Sequence, residues 1–303
     1  MTDLAASAAK GELPPSHADG RARSGELELH YRSFGSDGGV PVLIAHGMSY
    51  FSYDWIGVAT ALATDRHIVA FDQRGFGESD WSPDKDYSVS AFSSDIVAML
   101  DHLGWRRAIL MGHSMGGRNV TYCAAHNPER IAALVLVDWS PQTAPEGSKR
   151  VRAQNSGLPD AFASVEEAMR YFGKTGDALD DVRVRARLEA FLRPVPGGFA
   201  IKRDVFFRDQ SRAAVAGGRA PGLVSDRRTL DMWEVIGRVT CPTLVVRGTR
   251  SDMFAAETAD RVRAANPRVR IEEIDTGHDV AGDDPDGLVN RVRPFIRDIS
   301  KEP

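Results

Sequence analysis

Short apolar runs bounded by turn residues recur along the chain and predict buried β-strands. They lie at residues 41–47, 67–75, 107–114, 131–138 and 241–248. Runs of this length rich in Val, Ile and Leu are typical of parallel strands that are covered on both faces. Helical patterns separate several of them, such as residues 90–104, which keep an apolar face and end at Gly104. The alternation predicts an α/β fold with a right-handed, mainly parallel central sheet flanked by helices.

A long segment, residues 141–238, interrupts this alternation and is too long for an ordinary connection. Within it, residues 165–173 and 180–193 have helical patterns. Residues 193–204 are broken by Pro and Gly, which predicts a turn or short hairpin. We therefore expect an inserted, mostly helical lobe at residues 141–238.

The flanking segments define the rest of the chain's organisation. We expect residues 25–140 and 239–303 to form a single core that the insertion divides in sequence. Residues 1–24 are polar and lack the apolar region of a signal peptide, which predicts a flexible leader.

Composition and charge narrow the partners and the compartment. The formal net charge of −4 gives no field that would gather nucleic acid or an anionic membrane, so neither partner is expected. No run of about 18 apolar residues is present. Cys123 and Cys241 match no metal or redox spacing, which favours two reduced, buried thiols in a cytoplasmic protein. The sequence leaves the oligomeric state open between monomer and homodimer.

The first chemical signal is a G-x-S-x-G motif around Ser114, at the end of one apolar run and the start of a helical stretch. Small residues on either side of the serine permit a sharp strand-to-helix turn that exposes its hydroxyl. The same turn aims the helix N-terminus and the backbone N–H of Met115 at a reacting carbonyl. The motif therefore predicts a nucleophilic serine rather than an incidental glycine-rich turn.

A hydroxyl needs a base to act as a nucleophile at neutral pH, and His278 is the candidate. It follows the last apolar strand, where a loop can bring it over the carboxyl edge of the sheet. His46 and His113 flank apolar strands, so we assign them to hydrogen bonds with backbone groups. No H-E-x-x-H motif or Cys/His cluster is present, so no metal is expected.

Two carboxylates compete to orient this histidine. Asp252 follows the first strand after the insertion, where the chain order Ser, Asp, His expects the acid. Asp138 lies at the end of the strand that follows the serine's helix. Chain order favours Asp252 as the acid and leaves Asp138 as the alternative. An oxyanion hole is expected from the backbone N–H groups of Met48, which follows the His46–Gly47 turn, and Met115.

Taken together, several motifs resemble the α/β-hydrolase superfamily. They are His46–Gly47 with Trp55, the segment DQRGFGES (72–79), the turn GHSMGG (112–117) and Gly277–His278. The resemblance spans nearly all of residues 25–299 and implies that the insertion is a cap. Epoxide hydrolases and haloalkane dehalogenases of this fold carry an aspartate where this chain has Ser114. The resemblance therefore favours acyl transfer or serine-based C–C hydrolysis.

A closer likeness is to the branch of carbon–nitrogen hydrolases that act on (acetamidomethylene)succinate. It rests on FDQRGFGESD (71–80), GHSMGGRNVT (112–121) and VLVDWSP (135–141). In that branch the acid comes from the strand after the nucleophile's helix, which would be Asp138. This chain departs from the branch because it also offers Asp252.

The insertion suggests what the substrate carries. Residues 141–238 contain 17 Lys or Arg and 13 Asp or Glu, whereas the whole chain is acidic. A basic cap on an acidic core would attract an anionic substrate, although solvated basic faces are the plainer explanation. Candidate substrate-binding residues are Trp139, Tyr50 and Phe51 near strand ends, Arg152 and Lys174 in the cap, and Arg118 one turn past the serine.

The sequence thus predicts a cofactor-independent serine hydrolase that acts on a small ester, amide or lactone, with a carboxylated substrate among the options. The catalytic set is Ser114, His278 and Asp252, with Asp138 as the alternative acid. Three other readings stay open: a C–C bond hydrolase of a diketone-type substrate, a perhydrolase or haloperoxidase-like enzyme, and a non-catalytic ligand receptor on the same fold.

Overall fold

The structure, a computed structural model, describes residues 17–218 and 230–299, and a central eight-stranded sheet organises that part of the chain. Its strands are β1 (Ala18–Ser24), β2 (Leu27–Phe34), β3 (Val42–Ala45), β4 (Ile68–Phe71), β5 (Ala108–His113), β6 (Ile131–Val137), β9 (Thr243–Gly248) and β10 (Val269–Ile274). Their order across the sheet is β1-β2-β4-β3-β5-β6-β9-β10. β2 is antiparallel to both of its neighbours, and every other pair is parallel. The predicted α/β class and mainly parallel sheet are confirmed.

Helices cover both faces of this sheet, and further helices belong to the segment between β6 and β9. They are α1 (Ile56–Leu62), α2 (Val89–His102), α3 (Met115–His126), α4 (Pro145–Ser156), α5 (Val165–Tyr171), α6 (Val182–Phe191), α7 (Val205–Val215), α8 (Met232–Gly237), α9 (Ala256–Ala265), α10 (Val280–Asp283) and α11 (Pro285–Ile299). Apolar residues of α2, α3, α8 and α9 pack on one face, and those of α1 and α11 pack on the other. Every residue of β3, β4, β5, β6 and β9 is buried, which explains their unbroken apolar runs.

The segment between β6 and β9 carries helices α4 to α8 and a hairpin, β7 (Leu192–Val195) with β8 (Gly198–Ile201). The hairpin and the helices α5 and α6 lie where the sequence predicted a hairpin and two helices. A small apolar cluster that includes Phe162, Met169 and Leu188 holds this cap together. Ile236 of α8 joins the core cluster, so the end of residues 141–238 packs on the core.

The N-terminal expectation was wrong in part. Residues 18–24, which the sequence grouped with the leader, form β1 and pair with β2 along their whole length. Ala22 is buried and Ser24 nearly so, whereas their neighbours point outward. This alternation was hidden because small residues supply the inward positions. Residues 1–16 of the expected leader lie outside the described residues.

The cysteines and the helix lengths can be compared with the expectations drawn from composition. Cys123 and Cys241 are free thiols, and both are buried as predicted. Within residues 17–218 and 230–299, none of the helices has the length and apolar character that crossing a bilayer requires.

The turn after β4 joins the sheet to α2 through a buried ion pair. Arg74 donates from Nε to Asp95 Oδ2 at 2.6 Å and from Nη2 to Oδ1 at 2.7 Å. The Asp95 side chain is fully buried. Because both charges lie out of water, removal of one partner would leave the other without compensation.

We expect Asp95→Asn to lower the free energy of unfolding by about 3–5 kcal/mol, since it leaves the buried Arg74 guanidinium without its counter-ion. Urea denaturation monitored by circular dichroism measures this change. The matched control is Glu234→Gln, which breaks the exposed pair with Arg238 and should cost less than about 1 kcal/mol. Equal effects of the two substitutions would contradict the prediction.

Candidate active site

Ser114 stands at the sharp turn between β5 and α3. Its backbone has φ 51° and ψ −115°, a strained conformation for a residue with a side chain. The turn requires glycine at position 116, because a Cβ there would lie 2.1 Å from the carbonyl oxygen of Ala45. The strand-to-helix turn predicted from the sequence is therefore present, with the serine at its apex.

Ser114, His278 and Asp138 form a continuous hydrogen-bonded chain. His278 Nε2 lies 3.0 Å from Ser114 Oγ, and His278 Nδ1 lies 2.6 Å from Asp138 Oδ2. A carboxylate only accepts, so Nδ1 carries the proton and Nε2 is free to accept from the serine hydroxyl. The arrangement can move a proton from the serine to the imidazole while the carboxylate stabilises the resulting charge.

The Asp138 carboxylate is buried and held by donors from three directions. Its Oδ1 accepts from the backbone N–H of Gly248 at 2.9 Å. Its Oδ2 accepts from Ser251 Oγ at 2.5 Å as well as from His278. Asp138 has a positive φ of 44°, which turns the side chain away from the continuation of β6. These contacts fix the carboxylate under the imidazole.

The sequence favoured Asp252 for this position, and the structure places it elsewhere. Asp252 pairs with Arg150 of α4, with Nε–Oδ2 and Nη2–Oδ1 distances of 2.5 and 2.8 Å. That guanidinium lowers the pKa of the Asp252 carboxyl below its usual value. Ser251, its neighbour in the same loop, is the residue that turns inward to Asp138. Asp252 therefore ties the loop after β9 to the cap instead of orienting His278.

A hydrogen-bonded network fixes the turn that precedes Met48. His46 Nδ1 donates to the carbonyl of Gly47 at 2.7 Å, and His46 Nε2 accepts from the backbone N–H of Gln73 at 3.0 Å. Asn119 Nδ2 donates to Gln73 Oε1 at 2.7 Å, which extends the network to α3. The assignment of His46 to backbone hydrogen bonds is confirmed.

His113 lies on the other side of the same turn and is fully enclosed. Its Nε2 lies 2.9 Å from the carbonyl oxygen of His278. Burial lowers the pKa of His113 to about 3, so the ring is neutral at physiological pH. The backbone hydrogen bond predicted for this residue is present, and its acceptor is the residue that faces Ser114.

A cavity of about 670 Å³ adjoins Ser114 and lies between core and cap. Met48, Met115 and Trp139 line it, so both residues proposed for the oxyanion hole border the cavity that contains the serine. Its wall includes the cations Lys85, Arg118 and Arg152 and the anion Asp231. The remaining lining is largely apolar and includes Phe206, Phe207, Val151, Met232 and Met253.

The structure brings three of the six predicted substrate-binding residues to this cavity and leaves three outside it. Trp139, Arg118 and Arg152 line it. Lys174 is exposed on the cap, three residues after the end of α5, and does not line the cavity.

Tyr50 and Phe51, which were also predicted to bind substrate, contact other parts of the protein instead. Phe51 is buried and packs against Phe191 of the cap, with ring centroids 5.3 Å apart. Tyr50 packs edge-on against His113, with ring centroids 4.9 Å apart, and burial together with the nearby Asp279 raises the pKa of its hydroxyl. Both lie near a strand end, as expected, but their side chains point to cap and histidine loop rather than to the cavity.

Sequence reasoning missed several residues that the structure brings to the site. Ser251 carries no motif of its own, and only the fold brings its hydroxyl to Asp138. Asn155 and Gln210 of the cap line the cavity, and Arg203 donates to Asn155 at 3.0 Å. No motif marks these three residues, because they meet only through the packing of α4 against α7.

The motif positions and the topology agree with a match of residues 40–285 to the profile of the alpha/beta hydrolase fold. The chain belongs to the alpha/beta hydrolase family. The match confirms the resemblance to the α/β-hydrolase superfamily that the sequence motifs predicted.

Comparison with individual proteins gives two relatives of similar length. A 2-(acetamidomethylene)succinate hydrolase of Mesorhizobium japonicum is 27% identical over 276 residues, which is 91% of each chain. A 3-hydroxybutyrate-oligomer hydrolase of Cupriavidus necator is 29% identical over 269 residues, which is 84% of this chain and 88% of that one.

A solved structure supports the first of these likenesses. The crystal structure of E-2-(acetamidomethylene)succinate hydrolase aligns with a TM-score of 0.76 at 25% identity, over 93% of this chain and all of that one. The likeness to this branch, predicted from three motifs, is confirmed by the comparisons. The protein is a hydrolase of the alpha/beta fold.

Proposed function

We propose that the protein is a cofactor-independent serine hydrolase that cleaves a small carboxylated ester or amide through an acyl-enzyme. The observation that carries the proposal is the chain from Ser114 Oγ to His278 Nε2 at 3.0 Å and from His278 Nδ1 to Asp138 at 2.6 Å. The distances lie within the range in which a base takes the proton of a nucleophilic hydroxyl.

In the first half of the reaction, Ser114 Oγ attacks the substrate carbonyl carbon and its proton passes to His278 Nε2. The oxyanion that forms is stabilised by the backbone N–H groups of Met48 and Met115. Asp138 accepts the Nδ1–H hydrogen bond throughout and stabilises the imidazolium without taking its proton. Collapse of the intermediate expels the alcohol or amine, which leaves with the proton from His278.

In the second half, a water molecule loses a proton to His278 Nε2 and its oxygen attacks the acyl carbon. The acid product then departs as the proton returns to Ser114 Oγ. The leaving group thus takes the proton of Ser114, and one water molecule restores it. Both protons pass through His278. The absence of a metal or cofactor requirement stays a prediction, as do the cytoplasmic location and the small-molecule partner.

Two observations support a negative charge on the substrate. The cavity wall carries Lys85, Arg118 and Arg152 against Asp231. Lys85 is paired with Asp204 at 2.7 Å, whereas Arg152 has no ion-pair partner within residues 17–218 and 230–299. Succinate and 3-hydroxybutyrate, which appear in the names of the two relatives, are both carboxylates. An unpaired cation at the wall favours a carboxylate of the substrate as its partner.

For the acid, we expect Asp138→Asn to lower kcat roughly 10⁴-fold, because an asparagine cannot hold His278 in the required tautomer and charge state. Asp252→Asn should stay within about tenfold of the wild type, because it breaks a partly exposed pair with Arg150. Steady-state turnover of an activated ester, with Ser114→Ala as the blank, measures both. A larger fall for Asp252→Asn would reject Asp138 as the acid.

For substrate charge, we expect Arg152→Glu to reduce kcat/KM for a carboxylated ester about tenfold and to leave a neutral ester of the same length unchanged. The matched control is Lys174→Glu, which makes the same charge reversal in the cap at an exposed position outside the cavity. Initial rates with the carboxylated and the neutral ester, measured for both variants, test this expectation. Equal losses for both variants, or for both esters, would remove the argument for an anionic substrate.

A further inference from the structure

We propose that His113 is a positioning residue whose Nε2–H group ties the loop of His278 to the strand that carries Ser114, and so sets the distance between base and nucleophile. The inference rests on the proposed function, and it gives a role to a buried histidine that the proton transfers do not use.

One hydrogen bond joins the end of β5 to the loop of His278. His113 is the last residue of β5 and directly precedes Ser114. Its Nε2 lies 2.9 Å from the carbonyl oxygen of His278. A carbonyl can only accept, so the proton resides on His113 Nε2. A single side chain therefore joins the backbone of the nucleophile's strand to the backbone of the histidine that faces the nucleophile.

Surrounding groups prevent the ring from turning away. Tyr50 packs edge-on against it, with ring centroids 4.9 Å apart. On another side, a Cβ at Gly47 would lie 2.7 Å from His113 Nδ1, so the ring occupies space that only a glycine leaves. Burial and the nearby Asp279, the residue after His278, raise the pKa of the Tyr50 hydroxyl. The ring is thus fixed between the Met48 turn and the histidine loop.

Burial also determines the charge of the ring. His113 is 2% exposed, and burial with the neighbouring His278 lowers its pKa to about 3. A charged ring would lie 4.7 Å, centroid to centroid, from the ring of His278 and would oppose protonation of the base. The neutral ring donates its one proton to the carbonyl and leaves His278 able to accept another.

The test compares His113→Gln, which can present an N–H donor at about the same reach, with His113→Met, which has similar volume and no donor. We expect His113→Met to lower kcat roughly 10²-fold with KM within about twofold, because a displacement of about 1 Å costs that much in rate. His113→Gln should recover most of the loss. The melting temperatures of the two variants should agree.

A second measurement reads the geometry without turnover. The proton between His278 Nδ1 and Asp138 should give a far-downfield NMR resonance in the wild type and His113→Gln, and a broadened one in His113→Met. Equal activity and equal spectra in both variants would overturn the role of His113. Absence of Ser114-dependent turnover in the wild type would instead overturn the proposed function, and the spectra would still test the positioning.

An independent observation in the cap points to a binding role for Asn155: the geometry assigns its amide NH2 as a donor to an acceptor oxygen of the substrate, with Arg203 fixing the orientation. This inference also rests on the proposed function. It predicts that the substrate has a hydrogen-bond acceptor oxygen at a position remote from the scissile bond.

Arg203 determines which end of the Asn155 amide faces the cavity. Its Nη1 donates to Asn155 Oδ1 at 3.0 Å and to the carbonyl of Met48 at 3.3 Å. A guanidinium has no acceptor, so the amide atom that meets it must be the oxygen. Asn155 is 5% exposed and lines the cavity that contains Ser114. The NH2 group is therefore the polar end left for a ligand.

The surroundings of Arg203 strengthen this orientation. Arg203 is 3% exposed, and no carboxylate forms an ion pair with it within residues 17–218 and 230–299. Burial lowers its pKa to about 10, so it keeps its charge at neutral pH. A buried cation without a counter-ion polarises the amide that it contacts and makes the NH2 group a stronger donor. A carboxylate or carbonyl oxygen suits that donor.

Asn155→Asp tests the assignment with an isosteric change. The new carboxylate would pair with Arg203 and present an acceptor oxygen to the cavity in place of the donor. We expect KM for a carboxylated ester to rise at least about tenfold, with a smaller rise for an ester bearing a neutral amide carbonyl. A plain alkyl ester should change by less than about twofold. Asn155→Ala, which removes the donor without adding charge, should act in the same direction but less.

The control is Gln154→Glu, which adds the same charge to the exposed neighbour on α4. It should leave all three esters unchanged. Equal losses for the alkyl and carboxylated esters in Asn155→Asp, or the same pattern in Gln154→Glu, would overturn the donor role while Ser114-dependent hydrolysis persists. Loss of that hydrolysis in the wild type would overturn the proposed function itself.

Discussion

The Asp138 carboxylate is the point at which three separate loops of the core meet. Gly248 is the last residue of β9, Ser251 comes from the loop that follows it, and His278 comes from the loop after β10. A buried carboxylate is costly unless donors surround it, so each of these loops must close for the site to form. The strained backbone at Asp138 and Ser114 is sustained by the same closure. The geometry of the site is thus a property of the whole sheet edge.

Much of the fold and part of the site could be read from local sequence. Buried parallel strands give unbroken apolar runs, and the serine turn needs glycines at fixed positions, so both leave a local trace. The choice between Asp138 and Asp252 left no such trace. Two features separate the carboxylates. Arg150, which is distant in sequence, pairs with Asp252, and Asp138 has a positive φ that its residue type does not reveal. Chain order therefore did not indicate which carboxylate contacts His278.

The cap is fastened to the core by charged contacts around the cavity. Arg187 of α6 donates to Asp54, and Asp204, which precedes α7, accepts from Lys85 and Tyr87. Arg150 adds a third link through Asp252. These three links hold the cap helices α4, α6 and α7 to the core. Substrate selection would then depend on groups that stand in place, such as Arg152 and Asn155.

The position of the proposed acid, Asp138, directly after β6 has an evolutionary consequence. Ser114 and Asp138 both precede the cap in the chain, where they directly follow the adjacent strands β5 and β6. Only His278 is contributed from beyond it. An ancestor could therefore have exchanged, lengthened or shortened the segment after Asp138 while its nucleophile and carboxylate stayed in register. In such a lineage, ligand preference would change with the cap while the reactive centre is inherited unchanged.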